Sequence, residues 1–249
     1  MTNFSNTAAI ILAAGKGTRI KAKNKNKVAF KIGGKPIIEY VVDKLEGIGL
    51  GQIVVIVGFQ ADSIKAVLGD RVLYVKQEKQ LGTGDAIKSA LPALKANISS
   101  VISLYGDDSA FYTEALLKEM IAKREKEQID LLFLTIHKDD PTGLGRIVRS
   151  KNGKVLKIVE EKSASKEEKA IKEINTGLYC FNRKFLDKYA HFIKKNKESG
   201  EYYATDLVEI ALSAKKSVAT HYYKDSSVWL GVNNKSDLQK AINKKTLLK

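Results

Sequence analysis

The sequence predicts an α/β fold built on a mixed, mostly parallel sheet, and three observations indicate it. Through residues 1–140, short apolar runs alternate with segments of helical periodicity. The apolar runs are continuous, as they are in parallel strands that are buried on both faces of a sheet. After Pro141 the pattern changes to a hairpin, one more strand and further helices. Strands and helices that alternate in this way are typical of an α/β domain.

The first half is predicted to hold five strands and four helices. The strands cover residues 8–13, 52–58, 71–76, 100–107 and 130–138. The helices cover residues 36–49, 61–69, 83–95 and 113–127. Pro36 suits the first turn of its helix, because an N–H at that position would have no partner within the helix.

The second half is predicted to form a smaller α+β lobe. It begins with a hairpin over residues 145–162, and Asn152-Gly153 is a dipeptide that favours the tight turn between two strands. One more strand and three helices follow, over residues 173–182, 183–195, 205–214 and 235–247.

The composition excludes several classes of protein. The chain has 249 residues, 44% of them hydrophobic, which is enough for one sizeable core. It contains no apolar run of ~18 residues, so no membrane partner is expected. The single cysteine, Cys180, rules out an internal disulfide and suits a reducing cytoplasm. The three histidines are scattered and lack the spacing of a zinc site.

The formal net charge of +15 raises the question of a nucleic-acid partner. Only six of the 43 basic residues are arginines, and the lysines are spread along the whole chain. No aromatic-rich RNA-binding signature accompanies them. We therefore expect no specific nucleic-acid binding, with a nucleic-acid binder kept as an alternative. A polyanionic substrate would still be attracted to this surface.

A glycine-rich turn, LAAGKGTR, follows the first predicted strand. Such a turn lets backbone N–H groups approach a phosphate. A dinucleotide cofactor would need a third glycine where Ile20 stands. A P-loop for ATP or GTP would need a glycine in place of Ile10 and a hydroxyl residue in place of Gly17. The remaining interpretations are a nucleotide that is itself consumed and a plain solvated connection.

Two other stretches place polar residues at the ends of strands. In YGDD, Asp107 suits Mg²⁺ or, alternatively, the turn before the next helix. In QEKQLGTGDA, Gln77 can hydrogen-bond a base edge, while the glycines let a flat base lie against the backbone; a plain junction between loop and helix is the alternative. Ligands bind at the C-terminal ends of strands in open α/β sheets, so these stretches together favour a ligand site.

Nine stretches resemble the sugar-phosphate nucleotidyltransferases, in the family's order and over nearly the whole chain. They are LAAGKGTR (12–19), KV (27–28), QLGTGDA (80–86), YGD (105–107), DDPTGLGRI (139–147), IVEEK (158–162), EINTG (173–177), GEYYATD (200–206) and GVNN (231–234). LAAGKGTR is shared by many members, whereas QLGTG, EINTG and GEYY with TD are narrower. The resemblance is closest to the N-acetylglucosamine-1-phosphate uridylyltransferase (pyrophosphorylase) half of a bifunctional enzyme.

The resemblance implies a Mg²⁺-dependent cytoplasmic enzyme with a Rossmann-like fold in a single domain over residues 1–249. Residues 1–140 would form the nucleotide-binding half, and residues 141–249 the sugar-binding lobe with the C-terminal helices. UTP and N-acetylglucosamine 1-phosphate would give UDP-N-acetylglucosamine, a cell-wall precursor, and pyrophosphate. Positioning and charge neutralisation would supply most of the catalysis.

The resemblance also assigns a role to each matching residue. The nucleotide-binding residues would be Leu12, Ala13, Ala14, Gly15, Gln77, Gly82, Thr83, Tyr105 and Gly106. Arg19 and Lys27 would stabilise the triphosphate and the departing pyrophosphate. Asp107 and Asn233 would bind Mg²⁺. The sugar would contact Gly145, Glu160 and Asn175, the last near its N-acetyl group.

Asn175 also has a structural interpretation, and the chain departs from the family pattern at several positions. Asn-Thr-Gly suits a bulge that bends at Gly177. The segment between Arg19 and Lys27 is one residue longer than usual, and Asn26 replaces the usual proline. Residues 108–110 replace the usual Val-Pro-Leu, and residues 229–230 stand where a glutamate is frequent.

Three alternatives stay open, of which the departures bear mainly on the first two. They are another nucleotide such as dTTP or CTP, another sugar or alcohol phosphate, and a non-catalytic protein that binds sugar nucleotides. The sequence contains no hexapeptide repeats, so no acetyltransferase half is expected. The oligomeric state is not predicted.

Overall fold

The computed structural model describes residues 4–247. Its strands are β1 (Thr7–Ala13), β2 (Lys31–Ile32), β3 (Lys35–Pro36), β4 (Gln52–Val57), β5 (Leu73–Lys76), β6 (Ser100–Tyr105), β7 (Leu131–His137), β8 (Arg146–Arg149), β9 (Val155–Val159), β10 (Glu173–Asn182) and β11 (Val218–Tyr223). Its helices are α1 (Ile37–Gly47), α2 (Ala61–Leu68), α3 (Thr83–Ala90), α4 (Glu114–Lys126), α5 (Lys166–Lys169), α6 (Arg183–Tyr189), α7 (Asp206–Ser213) and α8 (Lys235–Leu247).

Nine strands of this described range form one sheet, whose main path runs β11-β7-β10-β6-β1-β4-β5. β1 pairs in parallel with β4 and β6, β4 with β5, and β7 with β11. β10 runs antiparallel between β6 and β7, and the β8–β9 hairpin attaches near the start of β10. The predicted α/β fold with a mixed, mostly parallel sheet is therefore confirmed.

The sheet is buried on both faces, which explains the continuous apolar runs. Successive side chains of a strand point to opposite faces, so Ile11 packs with α1, α2 and α4 while Ile10 packs with α3, α6 and α7. Both isoleucines are fully buried. Because β1, β4, β5 and β6 run in the same direction, their C-terminal ends meet along one edge of the sheet.

Two predicted helices end earlier than the sequence pattern indicates. α3 ends at Ala90 and a 3-10 turn follows it, because Pro92 has no N–H with which to continue the helix. α6 ends at Tyr189, again before a 3-10 turn. Within residues 4–247, no helix combines the length and the apolar character that crossing a membrane requires.

The edge strand β11 was not predicted from the sequence. Its residues pair in parallel with β7, from Val218 opposite Leu131 to Tyr223 opposite Ile136. Most of β11 is only half-buried, so its residues are a mixture of apolar and polar types, VATHYY. This composition lacks the continuous apolar run that identified the central strands.

Candidate active site

A cleft of about 710 Å³ opens at the C-terminal ends of β1, β5 and β6. The glycine-rich loop after β1 and the segment between β5 and α3 form much of its lining. Ten of the predicted site residues line it: Leu12, Ala13, Ala14, Gly15, Lys27, Gln77, Gly82, Thr83, Tyr105 and Asp107. Gly106 lies beside the cleft, where its N–H donates to the carbonyl of Leu12 over 3.0 Å.

The glycine-rich loop is held from behind by Asn26, which is 1% exposed. Its side-chain amide nitrogen donates to the carbonyls of Ala13 (3.0 Å) and Phe59 (2.8 Å), with a longer contact of 3.4 Å to the carbonyl of Gly15. Its side-chain oxygen accepts a hydrogen bond from the N–H of Val28 over 3.2 Å. One buried amide therefore ties the loop to the turn that carries the predicted catalytic lysine.

Gln77 is buried between β5 and α3, and its side-chain amide has a fixed direction. The amide nitrogen donates to the carbonyl of Gly82 over 3.1 Å and to the carboxylate of Asp85 over 2.8 Å. Gly82 has a φ of +103°, and a Cβ there would lie 2.5 Å from the carbonyl oxygen of Tyr202. Only glycine therefore lets the segment around Tyr202 pack so closely against the cleft.

Two cationic side chains contact the two residues predicted to bind the metal. Lys27 forms an ion pair with Asp107, and a guanidinium N–H of Arg19 donates to the side-chain oxygen of Asn233 over 2.7 Å. The N–H of Val232 donates to the carbonyl of Asp107 over 3.1 Å, which brings the two ligand positions next to each other. The structure thus brings together residues from the two ends of the chain.

These residues fit a Mg²⁺ ion that takes only part of its coordination from the protein. Among residues 4–247, no group of three or more His, Cys, Asp and Glu side chains could hold a metal. Asp107 and Asn233 instead offer one carboxylate and one amide oxygen. Mg²⁺ prefers oxygen ligands and usually keeps several waters and substrate phosphates beside one or two protein ligands.

The three residues predicted to bind the sugar also lie together, outside the lining of the cleft itself. The N–H of Asn175 donates to the carbonyl of Gly145 over 2.9 Å. A Cβ at Gly145 would lie 3.7 Å from both carboxylate oxygens of Glu160. Glu160 accepts a hydrogen bond from the hydroxyl of Thr205 over 3.3 Å, and Asn175 donates to the hydroxyl of Tyr179 over 2.6 Å.

A bulge in β10 joins this group to the cleft. Asn175 is opposite Thr135 of β7 and Tyr179 is opposite Phe133, so β10 uses four positions where β7 uses two. The bend is at Gly177, whose φ is +81°, and a Cβ there would lie 2.1 Å from the ring of Tyr105. The bulge therefore lets the ring of Tyr105 lie directly against the backbone of β10.

The family described as nucleotidyl transferase matches residues 8–247 of this chain. The chain belongs to the nucleotidyl transferase family. The match extends over the glycine-rich loop, the cleft and the group around Glu160, so it includes every predicted site residue.

Curated relatives of this nucleotidyltransferase chain are longer proteins. The chain is 42% identical over 233 residues to the bifunctional protein GlmU of Acetivibrio thermocellus, which covers 94% of this chain and 50% of that one. It is 40% identical over 233 residues to the bifunctional protein GlmU of Bacillus subtilis, covering 94% of this chain and 51% of that one. The chain therefore spans about half the length of the curated relatives it matches.

A solved structure supports the nucleotidyltransferase fold. A Bacillus anthracis protein suggested to be a glucose-1-phosphate thymidylyltransferase superposes with a TM-score of 0.78. The superposition covers 96% of this chain and 95% of that one, at 22% sequence identity. At this identity the likeness concerns the fold alone.

Two departures of this nucleotidyltransferase from the usual family sequence contact each other. The indole N–H of Trp229 donates to the carboxylate of Asp108 over 3.1 Å and to the carbonyl of Thr176 over 3.2 Å. Burial raises the pKa of Asp108 well above its usual value, and repulsion from Asp107 adds to that effect. The two unusual residues therefore form one buried pair next to Asp107, the predicted metal ligand.

Two carboxylates in and beside the group of residues predicted to bind the sugar also have raised pKa values. Burial raises the pKa of Glu160, against the opposing effect of its hydrogen bond from Thr205. Burial, with repulsion from Glu209 and Glu160, raises the pKa of Asp206 to about 6. Asp206 begins α7, where the helix dipole favours a negative charge, so desolvation outweighs the dipole here.

We expect Asp206→Asn to remove a pH-dependent loss of stability. Because the folded-state pKa is raised, the folded protein keeps this proton after the unfolded chain has released it, and stability falls as pH rises from 3.8 through about 6. Relative to the unsubstituted chain, the variant should gain stability across that range. Chemical denaturation at several pH values measures the gain, with Asp62→Asn in the first turn of α2 as control. The same pH dependence in the Asp206 variant and the unsubstituted chain would contradict the expectation.

Three residues whose side chains form hydrogen bonds at or near the site were given no role from the sequence. Asp85 lies in the QLGTGDA stretch and Thr205 in GEYYATD, yet neither was assigned a function. Asn26 was identified only as a departure from a proline. The motifs contained all three residues or lay beside them. Asp85 contacts Gln77, eight positions away, whereas Thr205 and Asn26 contact Glu160 and Phe59, which are 45 and 33 positions away.

Proposed function

We propose that this chain transfers the uridylyl group of UTP to N-acetylglucosamine 1-phosphate, giving UDP-N-acetylglucosamine and pyrophosphate. The observation that carries the proposal is the meeting of Lys27 with Asp107 and of Arg19 with Asn233, beside a cleft formed by the glycine-rich loop and Gln77. Identities of 40% and more to GlmU proteins support the choice of substrates.

In the proposed reaction, a phosphate oxygen of the sugar 1-phosphate attacks the α-phosphorus of UTP. The bond from that phosphorus to the bridging oxygen of the β-phosphate breaks, and pyrophosphate leaves with the electron pair. No covalent intermediate with a side chain is required. The protein contributes by aligning the two phosphates and by neutralising charge in the transition state.

Lys27 and Arg19 each have two kinds of partner in this proposal, a predicted metal ligand and a substrate phosphate. Lys27 and Arg19 contact Asp107 and Asn233 in the structure. Asp107 and Asn233 would hold the ion, and Lys27 and Arg19 would then contact the phosphates and the departing pyrophosphate. Bound Mg²⁺ would supply additional neutralisation of the phosphate charge. The backbone N–H groups of Gly15 and its neighbours would approach the same phosphates.

The sugar lobe, residues 141–249 in this proposal, would bind the sugar through Gly145, Glu160 and Asn175. Glu160 is suited to accept hydrogen bonds from sugar hydroxyls. The amide of Asn175 lies beside the bulge of β10 and would face the acetamido group. The substrates are small molecules in the cytoplasm, and basic residues are proposed to serve phosphates and not a specific nucleic acid.

Pyrophosphate release tests this proposal directly. Four nucleotides (UTP, dTTP, CTP and ATP) are each combined with N-acetylglucosamine, glucose and galactosamine 1-phosphates, with Mg²⁺ and with EDTA. We expect UTP with N-acetylglucosamine 1-phosphate to give the highest kcat/KM and EDTA to abolish turnover. Turnover of a different pair would transfer the proposal to that pair. Binding of UDP-sugars without turnover of any pair would favour the non-catalytic alternative.

A further inference from the structure

We propose that Asp85 sets the base selectivity of this chain, by holding the amide of Gln77 so that only its oxygen is offered to the base. Among pyrimidines, the favoured occupant is then one that carries a hydrogen on N3, as uracil and thymine do. This inference rests on the proposed function, because it takes the nucleotide cleft as the place where the base binds.

The geometry of Gln77 carries the argument. A glutamine amide has two N–H donors, and here one is used by the carbonyl of Gly82 and the other by the carboxylate of Asp85. Both partners are acceptors only, so the reverse orientation of the amide would set its oxygen against two other oxygens. The side-chain oxygen is therefore the end of Gln77 that a ligand in the cleft can use. Gln77 is 4% exposed and lines the cleft, so its amide cannot reorient freely.

Asp85 is itself held in place by its position in the first turn of a helix. It occupies the first turn of α3, where a negative charge is favoured by the helix dipole. Asparagine at this position would have nearly the same shape but could present either an acceptor or a donor to Gln77. The carboxylate thus fixes a direction that an amide would leave undetermined.

The orientation of the Gln77 amide gives selectivity because the bases differ in the donors and acceptors on their edges. Uracil and thymine present an N3–H donor, which an amide oxygen can accept. Cytosine presents an unprotonated N3 at the same ring position, so two lone pairs would face each other if the ribose held the base in the same register. A site that is built for a hydrogen bond discriminates strongly against a ligand that cannot make it. The contact does not separate uracil from thymine, so the test compares UTP with CTP.

The ratio of kcat/KM for UTP to kcat/KM for CTP, at saturating N-acetylglucosamine 1-phosphate, tests the role of Asp85. In the unsubstituted chain we expect UTP to be preferred. Asp85→Asn should reduce that preference about tenfold or more, mostly by lowering kcat/KM for UTP. Asp85→Glu retains a group that only accepts, so it should keep more of the preference. Asp62→Asn removes a carboxylate from the first turn of α2 and is the matched control.

An unchanged ratio in folded Asp85→Asn would overturn the inference, since a merely structural carboxylate would alter both nucleotides equally. Calorimetric titration of UTP and CTP into the same variants makes this test independent of turnover. If no sugar phosphate supports turnover but UTP binds more tightly than CTP and Asp85→Asn removes the difference, the proposed function fails and the base selectivity stands. If turnover is as proposed and neither ratio changes, the inference alone fails.

Discussion

Replacing Asp107 with asparagine should lower Mg²⁺-dependent kcat by about 10²–10³-fold or more while the protein stays folded. The carboxylate lies two residues after the end of β6 and is paired with Lys27, next to the position of Asn233. Asparagine keeps the size of the side chain and an oxygen that can accept from Lys27. It removes the negative charge that a divalent cation requires, so the loss should appear as a higher Mg²⁺ requirement as well as slower turnover.

Pyrophosphate release over a series of Mg²⁺ concentrations, together with the thermal midpoint, provides the measurement. Asp70→Asn is a suitable control, because Asp70 is an exposed aspartate outside the cleft. Full activity of the Asp107 variant at limiting Mg²⁺ would show that this carboxylate is not a metal ligand. A collapse of the thermal midpoint would instead indicate that its pairing with Lys27 is needed for the fold.

Asn26→Ala should destabilise the protein by about 3 kcal/mol and raise KM for the nucleotide, because the buried hydrogen bond to the carbonyl of Ala13 and the half-buried one to the carbonyl of Phe59 lose their donor. The same substitution frees the loop that is proposed to bind phosphate. Asn24→Ala, two residues earlier on an exposed position, is the matched control. Denaturant unfolding and nucleotide-dependent kinetics measure the two effects separately.

Asn26→Pro adds a sharper comparison, since proline is the usual family residue. The backbone of Asn26 has a φ of −64°, which proline can adopt. Proline would nevertheless lose the side-chain contacts and the N–H that donates to the hydroxyl of Ser63 over 2.9 Å. We expect this variant to be no more stable than Asn26→Ala. Stability equal to that of the unsubstituted chain in either variant would show that the amide does not hold the loop.

The central strands could be predicted because burial on both faces requires apolar residues at every position. β1 and β6 largely meet this condition, with Thr7, Ser100 and Ser103 as buried polar exceptions, and their apolar runs identified them. β11 does not, because an edge strand with half-buried residues has no such requirement. The end of α3 was predicted too late, because the helical periodicity continues past Pro92, the residue that prevents the helix from continuing.

The site was predictable where a motif carries the chemistry and unpredictable where contacts join distant segments. The glycine-rich loop and Asp107 lie in short stretches whose residue types match a phosphate and a metal. The hydrogen bond from Asn26 to Phe59 and the one from Trp229 to Asp108 join residues that are 33 and 121 positions apart. No local pattern specifies such pairs, since either partner alone is compatible with many environments.

The position of β10 has a consequence for how the chain folds. β10 pairs with both β6 and β7 but follows both in the sequence. Ser103 of β6, for example, can pair only when Tyr179 of β10 is present. Until residues 173–182 have been synthesised, two apolar strands at the centre of the sheet have open edges, which are templates for pairing with another chain. Such long-range pairing is slow and leaves partly folded chains prone to aggregation. Substitutions that weaken β10 should therefore reduce the yield of soluble protein during synthesis in cells more than equally destabilising substitutions in β5, which is made early and pairs with β4 at the far edge of the sheet.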